Sequence, residues 1–359
     1  MHAGEHSTVD VAILGGGIVG LSVAWRARAA GMSVAVLERG EIGGGASHVA
    51  AGMLAPVAEV EFGEAGRGVL DLGLRSASMW PDFAAALEST SGICVGLRKT
   101  GTLVVARDED EARELERQLA FRESLGLRAK RLRASEAREH EPALAPTVRL
   151  ALHAPDDHSV DPRSVVAALR SSCEHAGVQI REHAPALDVR VDVSKSRVTG
   201  VADMRAGNVV VAAGAWSGEV AGLPIGAGVQ VRPVKGQIMR LRDPAGSGML
   251  NGVVRFEGGY LVPRGDGRYV LGATVEERGF EADPTAGGVY ELLRDAHELV
   301  PGVSELHIEE LNVGFRPCTP DNVPIVGRGD LEGLVWATGH HRNGILLAPL
   351  TAEMVVEAL

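Results

Sequence analysis

The stretch Val9-Asp-Val-Ala-Ile-Leu14, Gly15-Gly16-Gly17-Ile18-Val19-Gly20, a helical run to Gly31, then Ser33-Val-Ala-Val-Leu37-Glu38 decides the fold. It predicts a strand, a glycine turn, a helix and a second strand ending on an acid, the βαβ unit that binds a dinucleotide. Gly15 allows the tight turn, Gly17 lets backbone approach a pyrophosphate, and Gly20 lets helix and strand pack closely. Ile18 and Val19 open the helix, so its N-terminus faces the phosphates. Glu38 is placed to hold an adenosine ribose, and Arg39 follows it. A glycine-rich turn in an ordinary α/β core would not need the acid at this distance.

The 359-residue chain, 45% hydrophobic, is long enough for a large core and two structural lobes. A formal charge of -11 argues against nucleic acid or an anionic membrane as the main partner. Cys94, Cys173 and Cys318 are scattered without metal spacing, which points to reduced thiols in a cytoplasmic protein and to no metal site. Met1 to Asp10 lacks a basic region followed by an apolar one, so no signal peptide is expected. The apolar run Val11 to Trp25 is broken by three glycines, and no transmembrane span is expected.

After Glu38 the chain reads Arg39-Gly40-Glu41-Ile42-Gly43-Gly44-Gly45-Ala46-Ser47-His48-Val49-Ala50-Ala51-Gly52-Met53-Leu54. Small residues and a hydroxyl crowd a place where backbone passes close to something flat and polar. The βαβ unit followed by Ser47-x-x-Ala50-Ala51-Gly52-Met53-Leu54 resembles the D-amino acid oxidase superfamily of flavoproteins, its glycine oxidase branch above all. The resemblance implies FAD, with Ser47, Ala50, Ala51, Gly52 and Met53 beside it.

Helical spacing predicts two helices or one kinked at Trp80-Pro81 between Arg67 and Gly92, and an amphipathic helix from Glu109 to Leu125. Asp161-Pro162 reads as N-cap and first helical residue of another, ending before Gly177. Short strands are expected at Gly101 to Arg107, Val178 to His183 and Ala186 to Val193. A buried strand at Asn208 to Ala212 runs into Ala213-Gly214-Ala215-Trp216. The resemblance places backbone near Ala186 at the adenine end and Ala213, Gly214 and Trp216 by the flavin. Between Val229 and Val313 alternating strands predict a mostly antiparallel sheet, and Thr285 to Val300 a helix. The expected fold class is α/β: a Rossmann-type FAD-binding domain (1-85, 146-225 and 314-359) interleaved with an α+β substrate domain (86-145 and 226-313).

The most specific match is Gly339-His340-His341-Arg342-Asn343-Gly344-Ile345-Leu346, following the apolar strand Gly333 to Thr338 and opening the last helix. A helix N-terminus there presents N–H groups to the flavin region that gains negative charge on reduction. His341, Arg342, Asn343, Gly344 and Ile345 are thus candidate cofactor residues. Arg316, in Gly-Phe-Arg-Pro-Cys-Thr-Pro-Asp321, is the candidate for the substrate carboxylate, because a planar guanidinium holds one by two parallel hydrogen bonds. By resemblance Tyr260 meets the same carboxylate, and Arg342 is a second active-site arginine.

The implied reaction is hydride transfer from the α-carbon of a small amino acid to flavin N5, followed by reduction of O2 to hydrogen peroxide, in a homo-oligomer. No side-chain base is expected if the amine arrives neutral. Some sarcosine oxidases carry a flavin-linked cysteine where this chain has Gly314, so the FAD is expected to be non-covalent. Val275 and Ala55-Pro56 depart from the glycine oxidase pattern at positions expected near the pocket or its lid. The readings in competition are an oxidase of glycine or a similar small amine, with a role in thiamine biosynthesis, a sarcosine or D-amino acid oxidase or dehydrogenase, and a non-catalytic FAD-binding subunit.

Overall fold

The computed structural model describes residues 8–184, 188–246 and 248–359. Ala186, a sequence candidate, lies outside the described residues. The opening unit forms as its pattern dictates: strand Thr8–Leu14, helix Ile18–Ala29, strand Val34–Leu37. Thr8–Leu14 lies in the middle of its sheet, parallel to Val34–Leu37 on one side and to Met204–Val211 on the other. Leu334–Thr338 pairs next, and Gln179–Arg181 closes the other edge. Buried on both faces, Val34–Leu37, Leu334–Thr338 and the ends of Thr8–Leu14 and Met204–Val211 are continuous apolar runs.

Helices Ile18–Ala29, Glu64–Ser91, Pro162–His175 and Gly344–Ala358 pack on one face of this sheet. The segment around Trp80-Pro81 is one 28-residue helix, Glu64–Ser91, ended by Gly92 at φ 71°. Trp80 is fully buried and its indole N–H donates to the Leu346 carbonyl at 2.9 Å. Burial of so large a ring contributes ~3 kcal/mol, and here it fixes the first turn of the last helix. Asp161 caps Pro162–His175 by accepting from the Arg163 N–H.

A second eight-stranded sheet, mostly antiparallel, carries helix Ala286–Leu299 packed against it. Its long members are Arg232–Arg242 and His307–Cys318, paired along their length. The first of the alternating strands expected after Val229 is Arg232–Arg242, with Pro233 near its start. Leu150–Ala154 pairs with Thr102–Ala106 in the second sheet, and His307–Cys318 carries that sheet past residue 313. A short apolar strand shows its burial in sequence but not its partner. Among the described residues no helix is long and apolar enough to cross a membrane.

Candidate functional site

A cavity of about 780 Å³ opens between the two sheets. At one end stands the glycine turn. Gly15 adopts φ 106°, and a Cβ there would sit 2.4 Å from the Ala212 carbonyl oxygen, so only glycine continues the strand into the helix. Gly20 lies inside the helix against Gly15, not on the cavity; a Cβ on it would meet the Gly15 oxygen at 2.0 Å. Gly17, Ile18 and Val19 line the cavity, and the Ile18 N–H donates to Ser47 Oγ at 3.0 Å. Ser47 thereby supplies the acceptor that the helix start lacks, and joins the small-residue segment to the turn.

Glu38 follows its strand and lines the cavity with Arg39. Its carboxylate accepts from the Gly16 N–H at 2.7 Å and the Gly40 N–H at 2.9 Å. Each oxygen keeps further acceptor capacity for a ribose hydroxyl. The Arg39 guanidinium lies 3.6 Å from the Trp216 ring centroid, and Trp216 stacks on Phe280. Ala213, Gly214 and Trp216 reach the cavity from the end of Met204–Val211.

Ala50, Ala51, Gly52 and Met53 form another wall. Half-buried Arg264 fixes that wall, donating to the Ala51 carbonyl and the Val160 carbonyl at 2.8 Å each. His341, Arg342, Gly344 and Ile345 line the cavity, while Asn343 caps the last helix and faces a smaller adjoining depression. Two helix N-termini, at Ile18 and Gly344, therefore converge on one space. Burial depresses the His341 pKa to about 4, helped by Arg342 and Arg316, and burial alone does the same to His340. Both rings are neutral at pH 7.

The second sheet supplies the far end. Arg316 sits opposite Val234 on the paired strands, with Nη1 donating to the Thr274 carbonyl at 3.1 Å and the Lys235 carbonyl at 3.3 Å. Its guanidinium lies over Gly236, where a Cβ would approach Nη1 to 2.6 Å. Tyr260 lies on the same cavity, its pKa raised by burial and partly offset by Arg316, so the phenol keeps its proton for donation. Arg342 pairs with Glu61 at 2.7 Å and Glu59 at 3.5 Å. Burial works against its charge, but Glu59 and Glu61 more than offset this and its pKa rises.

Sequence reasoning missed Glu59, Gly236 and Arg255, all on the cavity. A signal for Arg255 exists: the Gly258-Gly259 turn sets a hairpin register that pairs Arg255 with Tyr260. Val275 lines the cavity and is exposed, whereas Ala55 is buried behind it and Pro56 faces the smaller depression.

The arrangement fits FAD. A glycine turn that puts bare Gly17 backbone on the cavity, an acid beyond the second strand and two helix N-termini suit a dinucleotide carrying a ring that gains negative charge. Among the described residues no group of acids, histidines and cysteines could hold a metal.

Residues 10–358 match the model of a family described as FAD dependent oxidoreductase. Glycine oxidase of Geobacillus kaustophilus is 35% identical over 97% of this chain and 92% of its own. A bifunctional protein ThiO/ThiG of Synechocystis sp. is 36% identical over 98% of this chain, which spans only 52% of that protein. The crystal structure of glycine oxidase from Geobacillus kaustophilus superposes with a TM-score of 0.90 at 35% identity, covering 98% of this chain and 94% of that one.

Proposed function

Because the chain belongs to the family of FAD dependent oxidoreductases, we propose that it oxidatively deaminates glycine or a similar small amino acid or amine. The observation that carries this reading is Arg316. Carbonyls hold one edge of its guanidinium, and among the described residues it meets no carboxylate, while Tyr260 shares its cavity. A substrate carboxylate would complete that vacant ion pair.

Bound here, FAD would supply the acceptor for a hydride from the substrate α-carbon and the route by which O2 is reduced to hydrogen peroxide. Arg316 and Tyr260 orient the α-carbon by gripping the carboxylate from two directions. The N-terminus of Gly344–Ala358 directs N–H groups and the positive dipole end at the space where negative charge collects. Neutral His341 closes that wall without placing a competing positive charge. We propose the sequence candidates on this cavity as the FAD and substrate contacts, Arg342 acting through its pairing with Glu59 and Glu61.

The FAD is taken as dissociable: Gly314 faces the cavity with no nucleophile, and burial raises the Cys318 thiol pKa in a residue outside the lining. Unpaired Cys94, Cys173 and Cys318 fit a reducing, cytoplasmic compartment. A role in thiamine biosynthesis takes its support from the ThiO/ThiG relative, and a homo-oligomeric state completes the reading. The test is peroxide release by the yellow protein from glycine, sarcosine and D-amino acids, with dye reduction measured beside it. No turnover of any of them by protein that binds FAD refutes the proposal.

A further inference from the structure

The Glu59 carboxylate lies between two guanidiniums on the substrate side of the cavity. Arg255 Nη2 is 3.4 Å from Oε1, and Arg342 Nε is 3.5 Å from Oε2. Both arginines are also fixed to the backbone of the same segment, Arg255 Nη1 donating to the Ala58 carbonyl at 2.8 Å and Arg342 Nη2 to the Glu59 carbonyl at 3.0 Å. Arg342 then reaches Glu61 at 2.7 Å. The Glu59 side chain is 11% exposed, so these pairs are screened less than surface pairs are. Arg255 stands directly across the hairpin from Tyr260, and its Nε is buried without a hydrogen-bond partner.

At the substrate end Arg255 and Arg342 pair with Glu59, Arg342 also reaches Glu61 in the adjoining depression, and among the described residues Arg316 is the arginine there without a carboxylate. The site is thus set for a ligand bearing one acid group. A second acid group beside Tyr260 would have to compete with Glu59 for Arg255 and would suffer repulsion from the Glu59 carboxylate.

We propose that Glu59 is a specificity-determining internal carboxylate: it occupies Arg255 and Arg342 and so restricts the site to amines with one carboxylate. Arg255 is then a latent second anion position, open to a dicarboxylic amine once Glu59 loses its charge. The inference rests on the amino acid oxidase reading and deepens it.

The test compares yellow wild-type protein with Glu59→Gln, Glu59→Asp and the double variant Glu59→Gln/Arg255→Met. Sarcosine and iminodiacetate differ by one added carboxylate and give kcat/KM ratios. Acetate and malonate give dissociation constants by calorimetry without turnover. In Glu59→Gln the iminodiacetate-to-sarcosine ratio should rise by at least about tenfold, with a parallel gain for malonate over acetate. Glu59→Asp should keep the wild-type preference, and removing Arg255 should abolish the gain. Unchanged preferences in Glu59→Gln, or a gain that survives without Arg255, overturn the proposal. Glu59 acting instead on the substrate amine would raise KM for sarcosine and leave malonate binding unaltered, which also overturns it. Wild-type protein that turns over no amino acid refutes the oxidase reading, while the acetate and malonate constants still decide the inference.

Discussion

Replacing Arg316 tests the carboxylate clamp most directly. Nη1 is engaged by the Thr274 and Lys235 carbonyls, so the remaining N–H groups are preset toward the cavity rather than ordered on binding. Removing the guanidinium in Arg316→Ala deletes two charge-assisted hydrogen bonds, a loss of ~3 kcal/mol, or roughly 150-fold in kcat/KM. Arg316→Lys keeps the charge but loses the fork, and its deficit should be about tenfold. Gly236→Ala reaches the same group from outside: the new methyl would stand 2.6 Å from Nη1 and 2.8 Å from Cζ. The far end of a long side chain can move away, so this variant should fold and bind FAD yet lose about tenfold in kcat/KM through a displaced guanidinium. Peroxide-coupled kinetics with glycine and sarcosine, run beside acetate binding, measure all three. An Arg316→Ala protein that stays yellow with kcat/KM within about twofold of wild type would refute the clamp.

Gly17→Ala should fold normally but bind FAD at least about tenfold more weakly, as read by flavin absorbance titration, because its methyl occupies space reserved for phosphate. Gly20→Ala, with its Cβ at 2.0 Å from the Gly15 oxygen, should instead lose ~3 kcal/mol of stability in denaturant unfolding. Ser47→Ala removes the acceptor of the Ile18 N–H and should cost ~1 kcal/mol, measured as a lower Tm and weaker FAD binding together. Buried His340 has its pKa depressed from 6.5 to about 4, so its neutral form contributes stability that is complete above pH 6.5 and lost as pH falls through 4. The stability gap between wild type and His340→Gln should close by up to ~3 kcal/mol between pH 7 and 4. Asp157, raised to about 7 by burial, works with the opposite sign, so the difference between the two proteins is the quantity to measure.

What the sequence disclosed and what it concealed follow from the range of the forces involved. The glycine turn and the start of the last helix are local in pattern: Gly15 turns at φ 106° and Gly20 leaves room for the Gly15 carbonyl five positions back, a spacing visible in the sequence. Asp161-Pro162 and Thr285 were legible as helix starts for the same reason, a side chain capping the N–H groups two or three residues on. The partner of Leu150–Ala154 was not, since an apolar strand of five residues satisfies either sheet and only long-range pairing chooses. The start of Arg232–Arg242 was hidden as well, because Val229 and Val231 alternate as a strand does and only the pairing, which begins at Arg232, sets its end.

The charges on the cavity are the extreme case. Glu59, Arg255 and Arg342 are separated by 196 and 87 positions, as 255 − 59 and 342 − 255 show, and come from a loop, a hairpin and a helix N-terminus. Each is an unremarkable charged residue in its own stretch, and an arginine on a strand is most often a surface partner of modest worth. What gives them meaning is enclosure. In a cavity lined by Tyr260 and His341, a carboxylate 3.4 and 3.5 Å from two guanidiniums fixes how many acid groups a ligand can bring. The dinucleotide site could be read from backbone grammar, but the selectivity of the substrate site is a property of the assembled field, in which Arg316 meets no carboxylate among the described residues.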